Sequence, residues 1–115
     1  MKMSESDFLR ADARAAVLKA LAHPTRIYIV DVIEREGRHC VCDLTDRVGA
    51  DTSTISRHLS VLKNAGILQA SKEGTTVYYD LACGCIADFM SGLEKVLRSK
   101  QEQNSRRLSA ALSIG

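Results

Sequence analysis

Asp51-Thr52-Ser53-Thr54-Ile55-Ser56-Arg57-His58-Leu59-Ser60-Val61-Leu62-Lys63-Asn64-Ala65-Gly66 is the stretch on which the reading of this chain turns. Ile55, Leu59 and Leu62 recur at i, i+4 and i+7, the spacing that gathers apolar side chains on one side of an α-helix. The register predicts a helix from Asp51 or Thr52 to Ala65, closed by Gly66, with Thr52, Ser53, Ser56, Arg57 and Ser60 turned largely to solvent. Just before it, a shorter helical segment from Asp43 to Val48 is punctuated by Gly49. The local order is therefore helix, turn, helix.

Working outward, Gly66–Lys72 and Thr75–Leu81 flank Glu73-Gly74, and the second arm is rich in β-branched and aromatic residues. That is a β-hairpin pattern. Toward the N-terminus, Asp7–Leu21 carries Leu9, Ala13, Ala16, Val17 and Ala20 on one helical side. His23-Pro24 interrupts it, and Pro24 suits the first position of a second helix, because its missing N–H would be unpaired there anyway. That helix runs to Glu36 with Ile27, Val30 and Ile33 inward, and Gly37 fits its C-cap. From about Ala82 a last helix presents Ile86, Phe89, Met90, Leu93, Val96 and Leu97, and is expected to weaken beyond Lys100 in Gln101-Glu102-Gln103-Asn104-Ser105. The fold expected is mainly α with a small β-hairpin, a winged helix-turn-helix over residues 1–100 followed by a polar C-terminal tail at 101–115.

The length, 115 residues, is that of one domain, which excludes an enzyme with separate cofactor and substrate lobes. Hydrophobic residues make up 45% and charged residues 26%, so disorder is excluded too. Apolar runs fall far short of the ~20 residues that cross a bilayer. The opening Met1-Lys2-Met3-Ser4-Glu5-Ser6-Asp7 is polar and acidic where a secretory signal turns apolar, so a cytoplasmic location with reduced cysteines is expected. Net charge is only +2, but from Thr52 to Lys72 the chain carries Arg57, Lys63 and Lys72 with no acid. One local face is basic.

A helix that reads DNA needs short donors and acceptors together with Arg on one face, to reach base edges and phosphates in the major groove. Thr52, Ser53, Ser56, Arg57 and His58 supply these, with Lys63 and Lys72 beyond them. A merely solvated helix would show much the same composition. The hairpin beside it and the absence of acids favour double-stranded DNA as partner. The Ala-rich first helix and the apolar last helix, more than a small domain buries alone, predict a homodimer.

The four cysteines form two Cys-x-Cys pairs, Cys40/Cys42 and Cys83/Cys85, which in a reducing compartment point to metal or redox chemistry more than to structural disulfides. Thiolates select soft ions. Inside a helix, residues i and i+2 diverge by ~200°, whereas in an extended segment they face one way. Cys40 and Cys42 can therefore act as a pair only where His39-Cys40-Val41-Cys42 is not yet helical.

His23-Pro24-Thr25-Arg26, Cys40-Val41-Cys42-Asp43-Leu44 and the block Ser53 to Leu68 resemble the ArsR/SmtB family of metal-sensing repressors, over roughly residues 10–98. The resemblance implies a homodimeric repressor that binds an operator when empty and releases it when a thiophilic ion binds. The Cys-Val-Cys-Asp-Leu string is similar to the arsenite-responsive branch, which implies As(III) or Sb(III) as inducer and Cys40 and Cys42 as ligands. The chain departs from that branch at Thr45, where a third cysteine commonly stands, and it has no cysteine before Cys40. Cys83 and Cys85 are then the remaining thiol donors, with His39 as a possible extra one. A zinc-type site on the last helix is not expected, because Ile86 to Gly115 holds no histidine and only Asp88, Glu94 and Glu102 as acids. His23 reads as a cap or packing residue beside Pro24.

Other readings stay open at this point: a Cd- or Zn-type sensor or a structural zinc site using four cysteines, and a thiol redox switch on the same DNA module. A dithiol oxidoreductase is disfavoured, since the chain lacks Cys-x-x-Cys and any βαβ pattern.

Overall fold

Ile29, Val30, Val32 and Ile33, four fully buried aliphatic residues of one helix, are the centre about which the N-terminal part of the chain packs. A computed structural model describes residues 2–114, with side chains through Leu112. The elements in chain order are α1 (Glu5–Leu21), α2 (Pro24–Glu36), β1 (His39–Cys40), α3 (Val41–Val48), α4 (Thr52–Asn64), β2 (Leu68–Glu73), β3 (Thr76–Leu81) and α5 (Cys85–Ile114). Two units divide between Gly84 and Cys85. The first is the helix-turn-helix with its wing; the second is α5.

Local chemistry sets most boundaries. Ser4 and Asp7 form a reciprocal capping box at the start of α1. His23 caps α2, its Nδ1 accepting from the Thr25 N–H at 3.1 Å, and Pro24 occupies the first turn as expected. Asp51 caps α4 by accepting the Thr54 N–H at 2.7 Å and the Ser53 hydroxyl at 2.8 Å, and these bonds hold its carboxyl below its ordinary range. Gly49, in the left-handed region at φ 80°, ends α3 and turns the chain into α4.

The sheet has three antiparallel strands in the order β1-β3-β2. β2 and β3 are the expected hairpin, with Leu68 opposite Leu81 and Glu73 opposite Thr76. Gly74, at φ 62°, takes the first position of the two-residue turn. β1 is an addition to the sequence reading. His39 pairs with Tyr79 and Cys40 with Tyr78, so the sensor-like cysteine string starts inside the wing's sheet.

Ile55, Leu59 and Leu62 of α4 and Leu44 of α3 join the α2 residues in the core, together with Ile67 and Leu68 at the base of the wing. The Ala82 N–H donates to the Ile67 carbonyl at 3.0 Å and closes the hairpin's open end. α1 buries only Ala20 and Leu21. Three expectations are corrected. α3 starts at Val41 rather than Asp43, because β1 delivers the chain directly to a helix whose first residue follows Cys40. α1 buries far less than its apolar side promised, Leu9 being exposed. α5 does not weaken after Lys100 but continues to Ile114, since Gln, Glu and Arg are good helix formers and polarity alone does not end a helix. There is thus no structural break at the start of the expected tail, whose last residue, Gly115, lies outside the described residues.

Candidate nucleic-acid interface and thiol pair

Along α4 the inner and outer faces are cleanly separated. Thr52, Ser53, Arg57, Ser60 and Lys63 are exposed, Ser56 is half-buried, and Lys72 is exposed on β2 of the wing. Six of the seven residues expected to meet DNA therefore remain available to a ligand, and five of them project from one helix. Ser53 also donates its hydroxyl to Asp51, which orients it at the first turn.

His58 is the exception and corrects the sequence reading. It is 9% exposed, and its Nδ1 accepts a hydrogen bond from Arg26 Nε at 3.0 Å. Its ring lies 4.5 Å from that of His23, tilted by 51°. Burial, foremost, with the neighbouring His23, Arg26 and Arg57, pushes its pKa below the ordinary imidazole range. The signal was present in the sequence. Ile55, His58, Leu59 and Leu62 follow i, i+3, i+4, i+7, which places His58 on the core stripe. Arg26, its partner, had no role in the sequence reading beyond its place in a motif.

The wing is braced near its turn. Arg38, just before β1, donates two bonds to Glu73 at 2.8 and 3.0 Å and lies 4.2 Å above the ring of Tyr78. The Arg38 guanidinium holds the Glu73 carboxyl below its ordinary range. α3 is pinned to α2 in the same manner, Arg47 donating to both carboxylate oxygens of Glu36 at 2.9 and 2.6 Å. Arg47 in turn lowers the Glu36 pKa.

Cys40 and Cys42 carry free thiols, the first half-buried and the second exposed. Cys40 is extended (φ −86°, ψ 166°) and is the N-cap of α3, while Cys42 already lies in its first turn. The fully extended lead-in expected for the pair thus ends at Cys40. Thr45, where the arsenite-responsive pattern has a cysteine, donates its hydroxyl to the Val41 carbonyl at 2.8 Å. His39 donates its Nδ1–H to the Gly37 carbonyl at 2.7 Å, and its other nitrogen lies 3.8 Å from Glu36 Oε1. Cys83 and Cys85 are both in disulfide form. Among the described residues, no group of three or more His, Cys, Asp or Glu side chains is gathered as a metal would require. Among the same residues, no helix is long and apolar enough to cross a membrane.

Comparison with known proteins places this geometry. Residues 23–70, from the cap of α2 to the first arm of the wing, match the family described as bacterial regulatory protein, arsR family. The cadmium resistance transcriptional regulatory protein CadC homolog of Staphylococcus aureus is 48% identical over 67 residues, covering 58% of this chain and 55% of that protein. This chain therefore spans only about half the length of that relative. The arsenical resistance operon repressor of Escherichia coli K12 is 34% identical over 87 residues, covering 76% of this chain and 74% of the repressor. Among solved structures, the homodimeric winged helix-turn-helix DNA-binding domain from Mycobacterium bovis superposes with a TM-score of 0.79 at 30% identity, covering 87% of this chain and 92% of that one. These relatives are transcriptional regulators, not enzymes. With the helix-turn-helix, the wing and two-thirds coverage of a regulator at this identity in agreement, the chain is a member of the arsR family of bacterial regulatory proteins.

Proposed function

We propose that this protein is a dimeric transcriptional repressor that holds operator DNA through α4 and the wing, and leaves it when a thiophilic ion is bound by Cys40 and Cys42. The observation that carries the reading is the placement of the two free thiols at the junction where β1 of the wing's sheet becomes the first helix of the helix-turn-helix. A ligand there acts on the wing's sheet and on the first helix of the helix-turn-helix through one short segment.

The relatives support a metal-linked role, one being named for cadmium resistance and another for arsenical resistance. The donor chemistry fits a soft ion. As(III) or Sb(III) is the inducer we favour, with Cd(II) or Zn(II) as the alternative. Cys83, in the same unit as Cys40 and Cys42, supplies the third thiolate once reduced. DNA binding rests on the exposed Thr52, Ser53, Arg57 and Lys63 of α4, with the half-buried Ser56 at its edge and Lys72 on the wing. Two such helices in a dimer address half-sites about one helical turn apart, or a multiple of it. The dimer rests on the homodimeric relative and on the exposed apolar face of α5.

The coupling follows from chain geometry. Two thiolates can share one ion only if residues 40 to 42 face one way, and helical residues two apart diverge by ~200°. Joint ligation therefore favours an arrangement in which the first turn of α3 has opened, whereas the DNA-competent arrangement keeps that turn and the Cys40–Tyr78 pairing. An effector can shift the equilibrium only through such a difference in affinity. The disulfide form of Cys83 and Cys85 favours a second reading, in which oxidation of thiols is the signal. Titrating the fully reduced protein with arsenite, antimonite, cadmium and zinc, while following release of bound operator, tests the proposal. Release at stoichiometric ion under strict reduction supports it, and release only on oxidation supports the redox reading.

A further inference from the structure

Arg26 ties three helices together through one guanidinium. Its Nη1 donates to the Ala20 carbonyl in the last turn of α1 at 3.4 Å, and its Nε donates to His58 Nδ1 on α4 at 3.0 Å. It sits itself in the first turns of α2, behind the His23 cap. We infer that Arg26 is a positioning residue for the recognition helix: its Nε–H, donated to the Nδ1 of a neutral His58, fixes the rotation of α4 and with it the outward aim of Thr52, Ser53 and Arg57. This role rests on the DNA-binding reading.

Ile55, Leu59 and Leu62 hold α4 against the core. Apolar burial of that kind is not directional, so it sets how firmly the helix is held more than how it is rotated. A hydrogen bond to a ring nitrogen has a preferred line and plane, and weakens steeply off it. His58 Nδ1 is a directional anchor on the buried face of α4, and the reading face is reached directly from it, since Arg57 is its neighbour in the chain. Arginine suits the task because its planar fork is preorganised and can serve two acceptors on different helices at once.

The anchor exists in only one protonation state. Nδ1 accepts from Arg26 only while it carries no proton. A protonated His58 would face Arg26 from α2, the His23 ring from the α2 cap, and Arg57 from its own helix, with α1 contributing the Ala20 carbonyl. Burial and those cations all oppose that state. Recognition therefore carries a built-in dependence on a neutral imidazole.

The test has two arms. In the first, nitrogen-15 NMR of the wild-type protein at pH 7.5 reads the His58 tautomer, expected as Nε2–H with an unprotonated Nδ1. A proton on Nδ1 would overturn the proposal with no variant made. In the second, affinity is measured for a duplex that the protein itself selects from a random pool. His58→Asn offers a side-chain oxygen as an acceptor that does not titrate. It should stay within about threefold of wild type at pH 7.5 and lack the fall in affinity toward pH 5.5 that the proposal expects of the wild type. Arg26→Leu, checked for native helicity, should bind about tenfold more weakly, the loss expected for a hydrogen bond to a charged donor. Wild-type affinity in a folded Arg26→Leu protein, or an unchanged pH profile in His58→Asn, would contradict it. A wild-type chain that selects no duplex would overturn the DNA reading and this role with it, while leaving the tautomer result standing as a separate fact.

Discussion

α4 and α5 carry apolar stripes of the same helical period and use them differently. α4, of 13 residues, buries Ile55, His58, Leu59 and Leu62. α5, of 30 residues, buries none among its described side chains, and leaves Phe89 37%, Leu93 38%, Val96 66% and Leu97 54% exposed. The recognition helix is thus stabilised from within one chain. The last helix presents a face that a soluble protein normally covers, and in our reading a second copy covers it. Positioning of the DNA-reading face and assembly of the dimer are then separate energetic problems, and substitutions in the two helices should behave differently.

The largest effect is expected in α4. Leu59→Ala, at a fully buried position, should lower the free energy of unfolding by about 2–5 kcal/mol in urea titrations, whatever the protein concentration. Leu93→Glu combined with Leu97→Glu on α5 should leave the winged unit folded but shift the mass seen by light scattering from two chains to one. Operator affinity should drop by about a hundredfold or more, because two linked half-sites become one. A dimer mass that survives this change would assign α5 another role. Smaller again, Arg57→Ala should weaken operator binding by about 1–3 kcal/mol if it reads a guanine edge, or lower the salt slope by about one if it contacts phosphate. Unchanged affinity and slope would remove Arg57 from the interface.

The smallest effect concerns pH. The unfolded His58 imidazole protonates near 6.5 and the folded one lower, so between the two the unfolded chain binds more protons. Stability should therefore fall as pH drops through that window, and His58→Asn should flatten the fall. Glu36 and Glu73, held low by Arg47 and Arg38, act in a more acidic window: what they contribute is present above about 4.5 and lost below it.

What the sequence disclosed depended on how local the cause was. α2 begins at Pro24 and ends at Glu36 as expected, because a proline and a glycine mark its ends. The hairpin was legible from Glu73-Gly74 between two strand-like arms. β1 was not, since its two residues exist as a strand only by pairing with Tyr78 and Tyr79, far along the chain. That hidden pairing also explains why α3 starts earlier than Asp43 and why Cys42 is already helical. On α4, residue types mark the outward face, while the place of His58 on the apolar stripe with Ile55, Leu59 and Leu62 outweighs its polar chemistry and puts it inside. The thiol pair was legible as a pair; its state at a strand-to-helix junction was not.

The central claim is that Cys40 and Cys42 form the switch while α4 and the wing form the reader. It is tested most directly by arsenite titration of the reduced protein on its operator, wild type beside Cys40→Ser, Cys42→Ser and the double Cys83→Ser, Cys85→Ser variant. The account predicts that the two single variants bind operator as wild type does and stay bound at any arsenite concentration that releases wild type, and that the double variant loses much of the response. Release of operator from Cys40→Ser or Cys42→Ser at wild-type arsenite would contradict it.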